Sequence, residues 1–262
     1  MPTSKKLWMQ AARKEQDGKL RAKVLRRALE HLPREVELWK ECVQLEEPEE
    51  AKQLLATAVQ CVPQAIELWQ AYAKLETYAN ARQVLSQARD ANPTEFTIYI
   101  AAAKLEEAQG NKELVSKILK KAIKNLQRHQ VKMSRDQWLQ QAVVAEQGDS
   151  MATCKAIIAE TMHLGLEIDQ FADEKERKKQ ARAIWLENAE ACRLQGAIET
   201  AKAILANAIA LDSSKKRLWN AAQELEAEHG TTESLSKLLE AGVKNAKHEF
   251  LYILYARVLW KK

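Results

Sequence analysis

Glycine and proline are scarce, with 7 and 5 among 262 residues. Few positions therefore break helices, and the abundance of Ala, Leu, Glu, Lys and Gln favours them. Cysteine is scarce too. Cys42, Cys61, Cys154 and Cys192 are too few for a disulfide scaffold and share no metal-ligand spacing. They fall among apolar neighbours in helical patterns, as small hydrophobes suited to a reducing compartment. No apolar run approaches the roughly 20 residues of a membrane span, and no signal peptide precedes Leu7. No Gly-rich phosphate loop, His-Glu-x-x-His pair or nucleophile elbow occurs, and the five histidines share no ligand spacing. No catalytic residue, cofactor or metal is expected, and no membrane. Charge of one sign is also lacking. The net +5 comes from 41 basic and 36 acidic residues interspersed along the chain, unlike the concentrated basic surface of a dedicated nucleic-acid binder.

What is present is a repeat. Aromatic residues recur as Trp8, Trp39, Trp69, Tyr99, Trp138, Trp185, Trp219 and Tyr252. Successive members stand one helical hairpin apart, with the widest gaps before Trp138 and Trp185. Four residues later most copies carry a small or apolar residue, such as Ala73, Ala103 or Ala142. Seven residues after the aromatic come Glu15, Glu46, Glu76, Glu106 and Glu226. Spacings of four and seven share one helical face, which defines a helix A in each copy.

A second helix follows. Ala51, Leu54, Leu55 and Ala58 have counterparts in Ala81, Val84, Leu85 and Ala88, and in Ala201, Ile204, Leu205 and Ala208. Offsets of three, four and seven define an amphipathic helix B. Pro33, Pro63 and Pro93 lie five residues past its last alanine and stop it, and the next aromatic stands six residues further on. Facing alanines let the two helices approach closely, and the aromatic fills the wedge to the neighbouring hairpin. One hairpin cannot bury its apolar face alone, whereas a stack can. The expected fold is all-α: a right-handed α-α superhelix, a solenoid of about seven hairpins over residues 7–250 plus an orphan helix over 251–262, forming one array. Gly110, Gly196 and Gly230 stand eleven residues after their aromatics and are expected as left-handed terminators of helix A. The first three hairpins turn instead through Asp17-Gly18, Glu47-Pro48 and Thr77-Tyr78.

The glutamates of helix A recur with the repeat, so a structural partner on helix B, such as Lys52 or Arg82, explains them better than acid catalysis. The regularity breaks over residues 163–182, where extra charged, helix-forming residues prolong helix A of the sixth hairpin. Two basic clusters are candidate partner-binding sites: Lys175, Arg177, Lys178, Lys179 and Arg182 in this extension, and Lys117, Lys120, Lys121, Lys124 and Arg128 on helix B of the fourth hairpin. An acidic protein segment or an RNA backbone would suit either.

The aromatic, small residue and Glu of helix A, with Ala-Lys/Arg opening helix B (Ala51-Lys52, Ala81-Arg82, Ala201-Lys202), resemble the half-a-tetratricopeptide (HAT) repeat. Helix B alone resembles the tetratricopeptide repeat, but that family places Tyr where Glu stands here. The runs Leu38 to Ala51, Leu75 to Leu85, Ala102 to Asn111, Ala152 to Ile158 and Glu228 to Leu235 resemble the family of pre-mRNA-processing factor six, several of them in turns that the repeat leaves free. This resemblance implies a nuclear, non-catalytic HAT scaffold in pre-mRNA splicing, with proteins of the spliceosomal tri-snRNP as partners. Contacts to RNA backbone and self-association through exposed array ends are further expectations. The alternative is an RNA-contacting HAT-repeat protein of another RNA-processing complex. A chaperone adaptor would need a Lys/Asn clamp, and helix A of the first three hairpins holds no Asn.

Overall fold

The computed structural model describes residues 4–164, 166, 173–246 and 249–260. Fifteen α-helices and no strand occur among the described residues. They form two compact units, residues 1–109 with 121–131, and residues 110–120 with 132–262.

The first unit holds α1 (Lys5–Lys14), α2 (Gly18–His31), α3 (Val36–Gln44), α4 (Pro48–Cys61), α5 (Ile66–Leu75), α6 (Tyr78–Ala91), α7 (Phe96–Ala108) and the C-terminal part of α8 (Lys112–Arg128). Odd-numbered helices are helix A and even-numbered ones helix B, and successive helices from α1 to α7 pack on one another. Their seam is the expected one. Ala28, Ala58 and Ala88 are fully buried beside Leu25, Leu55 and Leu85. Each B helix ends identically, with the backbone N–H of Leu32, Val62 or Asn92 bonded to the carbonyl of Ala28, Ala58 or Ala88. The capping residue then leaves the helical region (φ near −131 to −134°), and the proline that follows cannot resume it. Pro48 occupies the first turn of α4, where a missing N–H costs nothing. Asp17 accepts from the backbone N–H of Lys19 and so caps α2. Arg21 holds the slot that is alanine in the next two hairpins and reaches back to the carbonyl of Glu15 and to that of Ala12, which also accepts the backbone N–H of Glu15.

The second unit holds the N-terminal part of α8 with α9 (Arg135–Gln147), α10 (Met151–Thr161), α11 (Glu174–Leu194), α12 (Ile198–Leu211), α13 (Lys216–His229), α14 (Thr232–Ala246) and α15 (Glu249–Trp260). α11 begins eleven residues before Trp185, so the charged stretch from Glu174 to Arg182 does extend helix A. Residues 165 and 167–172 of the expected extension, including Phe171 and Ala172, lie outside the described residues, as does His248. Gly110 and Gly196 have φ of +83° and +78°, the left-handed terminators expected. Gly230 does not. Its φ of −99° and ψ of −168° are extended, and its lack of a side chain has another cause. A Cβ there would lie 2.5 Å from the carbonyl oxygen of Glu226 and 2.8 Å from Ser234 Oγ. The Glu226 carboxylate is folded over this turn by a 2.6 Å bond from Ser234. In the fifth hairpin the left-handed slot belongs to Asp149 (φ 56°), a residue whose short polar side chain tolerates it.

Trp39, Trp69, Tyr99, Trp138, Trp185 and Trp219 are all buried. The ends of the ladder differ. Trp8 is half-buried and stacks on His31 with ring centroids 5.9 Å apart. Tyr252 fills no wedge. It is exposed with Ile253, Leu259 and Trp260, because α15 packs inward through Leu251 and no described helix covers its other face.

Candidate functional site

The aromatic ladder does more than fill space. The indole N–H of Trp39 donates to the carbonyl oxygen of Pro33 at 2.8 Å, that of Trp69 to Pro63 at 2.9 Å, and that of Trp219 to Ser213 at 2.9 Å. Each bond spans six residues, which is why the aromatic follows the helix-stopping position by a fixed offset. It ties the connection between hairpins to the next helix A. Tyr99 has no indole N–H, and Asn125 acts in its place, donating to Pro93 O at 2.9 Å and to the Tyr99 hydroxyl at 2.8 Å.

The glutamates make a second set of ties. Arg82 Nε of α6 meets Glu106 Oε1 of α7 at 3.0 Å, and Lys202 Nζ of α12 meets Glu226 Oε1 of α13 at 3.3 Å. Both pairs run from helix B of one hairpin to helix A of the next. Lys52 and Glu76 stand at the same two slots, and the Glu76 charge helps raise the Lys52 pKa, after a hydrogen bond to Glu49. In the first hairpin this slot is Ala22, and Arg26, one turn further along the same face, takes over, pairing with Glu46 at 2.7 Å. Burial, together with the neighbouring Glu50, nonetheless pushes the Glu46 carboxyl upward. Within its own hairpin Glu76 accepts from Asn80 at 2.9 Å, and Glu15 lends its backbone carbonyl to Arg21. The partner of Arg82 is thus on the following hairpin, not on its own.

The fifth hairpin has Ala145 in the glutamate slot, and Glu146 beside it does different work. Its carboxylate accepts the backbone N–H groups of Glu199 and Thr200, both at 2.8 Å, and the Thr200 hydroxyl at 2.6 Å. These are free donors at the N-terminus of α12, whose own N-cap, Ala197, has nothing to offer. Glu146→Ala is expected to cost about 2 kcal/mol and to speed amide exchange at Glu199 and Thr200. Unchanged exchange at those two amides would remove Glu146 from this role.

The thiols of Cys42 and Cys192 are pushed up to about 11, chiefly by burial, and that of Cys154 is raised by the same cause. They are un-ionised near neutral pH. Among the described residues no group of three or more His, Cys, Asp or Glu could hold a metal ion, and no helix is long and apolar enough to cross a membrane.

The two basic clusters have different environments. On α11, Lys178 meets Glu174 at 2.6 Å and Lys179 meets Glu176 at 3.2 Å, both along the same exposed helix. Arg182 is mostly buried and pairs at 2.5 Å with Asp212, the residue that closes α12. Burial pushes the Asp212 carboxyl up, but hydrogen bonds from Ser214 and the Arg182 guanidinium together outweigh it and hold the carboxyl below its usual value. Lys175 and Arg177 make no ion pair among the described residues. On α8, Lys120 meets Glu160 at 3.5 Å. Lys117, Lys121, Lys124 and Arg128 recur at steps of four, three and four, so they share one face. All four are exposed, and none has an ion-pair partner among the described residues.

Three of them line a cleft of about 450 Å³ within the first unit. Lys121, Lys124 and Arg128 form one wall with Asn125; Arg89 and Asp90 of α6, with Pro93 and Tyr99, form the other. Arg89 bonds Asp90 through Nε and Nη2 at 3.0 and 2.8 Å. Arg89 and Asp90 belong to no basic run and pass as an ordinary helix-B surface in the sequence. Only the hairpin register, which sets the end of α6 beside α8, could have placed them here.

Residues 5–259 match the model of the Suppressor of forked protein (Suf) family. The chain belongs to that family. Among curated relatives it is 39% identical over 141 residues to pre-mRNA-splicing factor prp1 of Schizosaccharomyces pombe, covering 52% of this chain and 14% of that protein. It is 43% identical over 71 residues to human pre-mRNA-processing factor 6, covering 27% and 7%. Protein STABILIZED1 of Arabidopsis thaliana is 43% identical over 72 residues, covering 28% and 6%. The chain thus matches only a small part of the length of these relatives. The matches agree with the resemblance carried by the residue runs in the turns. Solved structures also align, among them the APC/C heterotetramer Cut9–Hcn1, at 13% identity over 98% of this chain and 56% of that one, with a TM-score of 0.31.

Proposed function

We propose that this Suf-family chain is a non-catalytic scaffold of pre-mRNA splicing that acts in the nucleus and binds proteins of the tri-snRNP. The observation that carries this reading is the similarity to pre-mRNA-splicing factor prp1, spread over 141 residues. The architecture supports it. Tryptophan-to-carbonyl bonds and glutamate-to-cation pairs brace successive hairpins. Rigid hairpins present wide surfaces at little entropic cost on binding.

The test is affinity capture from nuclear extract with the whole chain as bait and identification of the captured proteins. Recovery of tri-snRNP proteins, with a Trp39→Ala chain recovering far less, is the expected result. Recovery of an unrelated set of RNA-processing proteins, or of none, would overturn the assignment.

A further inference from the structure

We propose that the cleft between α6, α7 and α8 is a docking site for an acidic segment of a protein partner. The proposal deepens the scaffold reading and depends on it only in taking the ligand to be protein.

Three observations converge on the cleft. The first is charge. Arg89, Lys121, Lys124 and Arg128 face a single carboxylate, Asp90, and Lys121, Lys124 and Arg128 have no anionic partner among the described residues. Several long cations elsewhere are neutralised by neighbours, as at Arg26, Arg82, Lys178, Arg182 and Lys202. A wall of unsatisfied cations opposite a shaped hollow is what an anionic ligand requires.

The second is rigidity. The floor is fixed by Asn125, which bonds both Pro93 O and the Tyr99 hydroxyl, and Arg89 is held by Asp90 and by Ser86 at 3.0 Å. A preformed site loses little entropy on binding. Its volume falls within the usual range for ligand clefts, roughly 300–1,000 Å³, and could admit a few residues of an extended peptide.

The third observation selects protein over RNA. Single-stranded RNA is gripped by stacking bases on exposed aromatic rings. The cleft's one aromatic residue, Tyr99, is only 5% exposed and its hydroxyl is already engaged, so no base can stack there. Asp90, paired with Arg89, can still accept a backbone N–H from a peptide whose own carboxylates reach Lys121, Lys124 and Arg128, whereas a phosphate group offers it no donor.

The experiment uses the full chain and a fluorescent hexapeptide of alternating Asp and Glu, read by polarisation at low and moderate salt. An oligouridylate of six nucleotides serves as the RNA arm. The triple variant Lys121→Gln, Lys124→Gln, Arg128→Gln is compared with the control Lys175→Gln, Arg177→Gln, Lys178→Gln, which removes the same charge from α11. Peptide binding that weakens with salt, falls about tenfold or more in the α8 variant and changes less than about twofold in the control is the expected result. All six positions are exposed or half-exposed, and unchanged helical circular dichroism confirms that both variants fold. Equal weakening in both variants would reduce the effect to net charge and overturn the site. Absence of peptide binding to the unmodified chain, or tighter binding of the oligouridylate, would also overturn it. Capture of tri-snRNP proteins by a chain that ignores the peptide would remove the cleft and leave the scaffold standing.

Discussion

Replacing Trp39 by alanine is expected to lower the stability of the first unit by about 3–5 kcal/mol, the usual cost of deleting a large buried aromatic side chain. Trp39 is 4% exposed and packs in one continuous core with Leu38, Cys42, Leu55 and Leu68. Its loss opens a void where two hairpins meet, and the neighbouring helices can collapse only partly, because each is held from its other side. The phenylalanine variants separate the ring from its hydrogen bond. Trp39→Phe keeps much of the packing but leaves Pro33 O without its only donor among the described residues. Trp69→Phe removes the equivalent bond to Pro63 O, yet Asn92 Nδ2 also donates to that oxygen, at 2.7 Å. Trp39→Phe should therefore cost about 0.5–1 kcal/mol more than Trp69→Phe. Urea denaturation followed by circular dichroism measures both. Equal costs would mean that the tryptophans act through volume alone. A loss below about 1 kcal/mol in Trp39→Ala would show that the aromatic ladder does not brace the stack.

Much of this bracing is written in local sequence. The alanine–leucine pattern of helix B, the proline five residues past its last alanine and the aromatic six residues after that locate α2, α4 and α6 and the turns that follow them. Those features depend on contacts within one hairpin or across one turn, and their spacing is dictated by roughly 3.6 residues per helical turn. The indole bond to the carbonyl six residues earlier was legible as an offset but not as chemistry. Three things lay beyond such reading. The partner of Arg82 is on the next hairpin because pairing follows the stacking of one hairpin on another, which no single helix reveals. The role of Glu146 depends on the N-terminus of α12, which belongs to the following hairpin and is distant in sequence. Gly230 shares its slot with Gly110 and Gly196, yet it is glycine because of crowding by Glu226, a tertiary fact. The candidate sites divide the same way. Both basic clusters were visible as runs, but only the fold shows that the α11 run is largely matched to carboxylates and that the α8 run closes on Arg89.

The inter-hairpin glutamates carry the second large prediction, and its two halves are unequal. Glu106 is 3% exposed, whereas the side chain of Arg82 is more than half exposed. Removing the buried partner and removing the exposed one are therefore different operations. Glu106→Gln keeps the volume and an acceptor for the Tyr78 hydroxyl, which now lies 2.8 Å from Glu106 Oε2, and it frees Arg82 into water. Its cost should be small, about 0.5–1 kcal/mol. Arg82→Met leaves a buried carboxylate without the guanidinium it now faces, and about 2–3 kcal/mol should be lost. In the double variant the buried charge is gone, so its cost should fall back toward that of Glu106→Gln alone, giving a coupling of up to about 2–3 kcal/mol. A double-mutant cycle followed by urea denaturation tests this coupling. Additive costs would show that this pairing between hairpins adorns the stack without holding it.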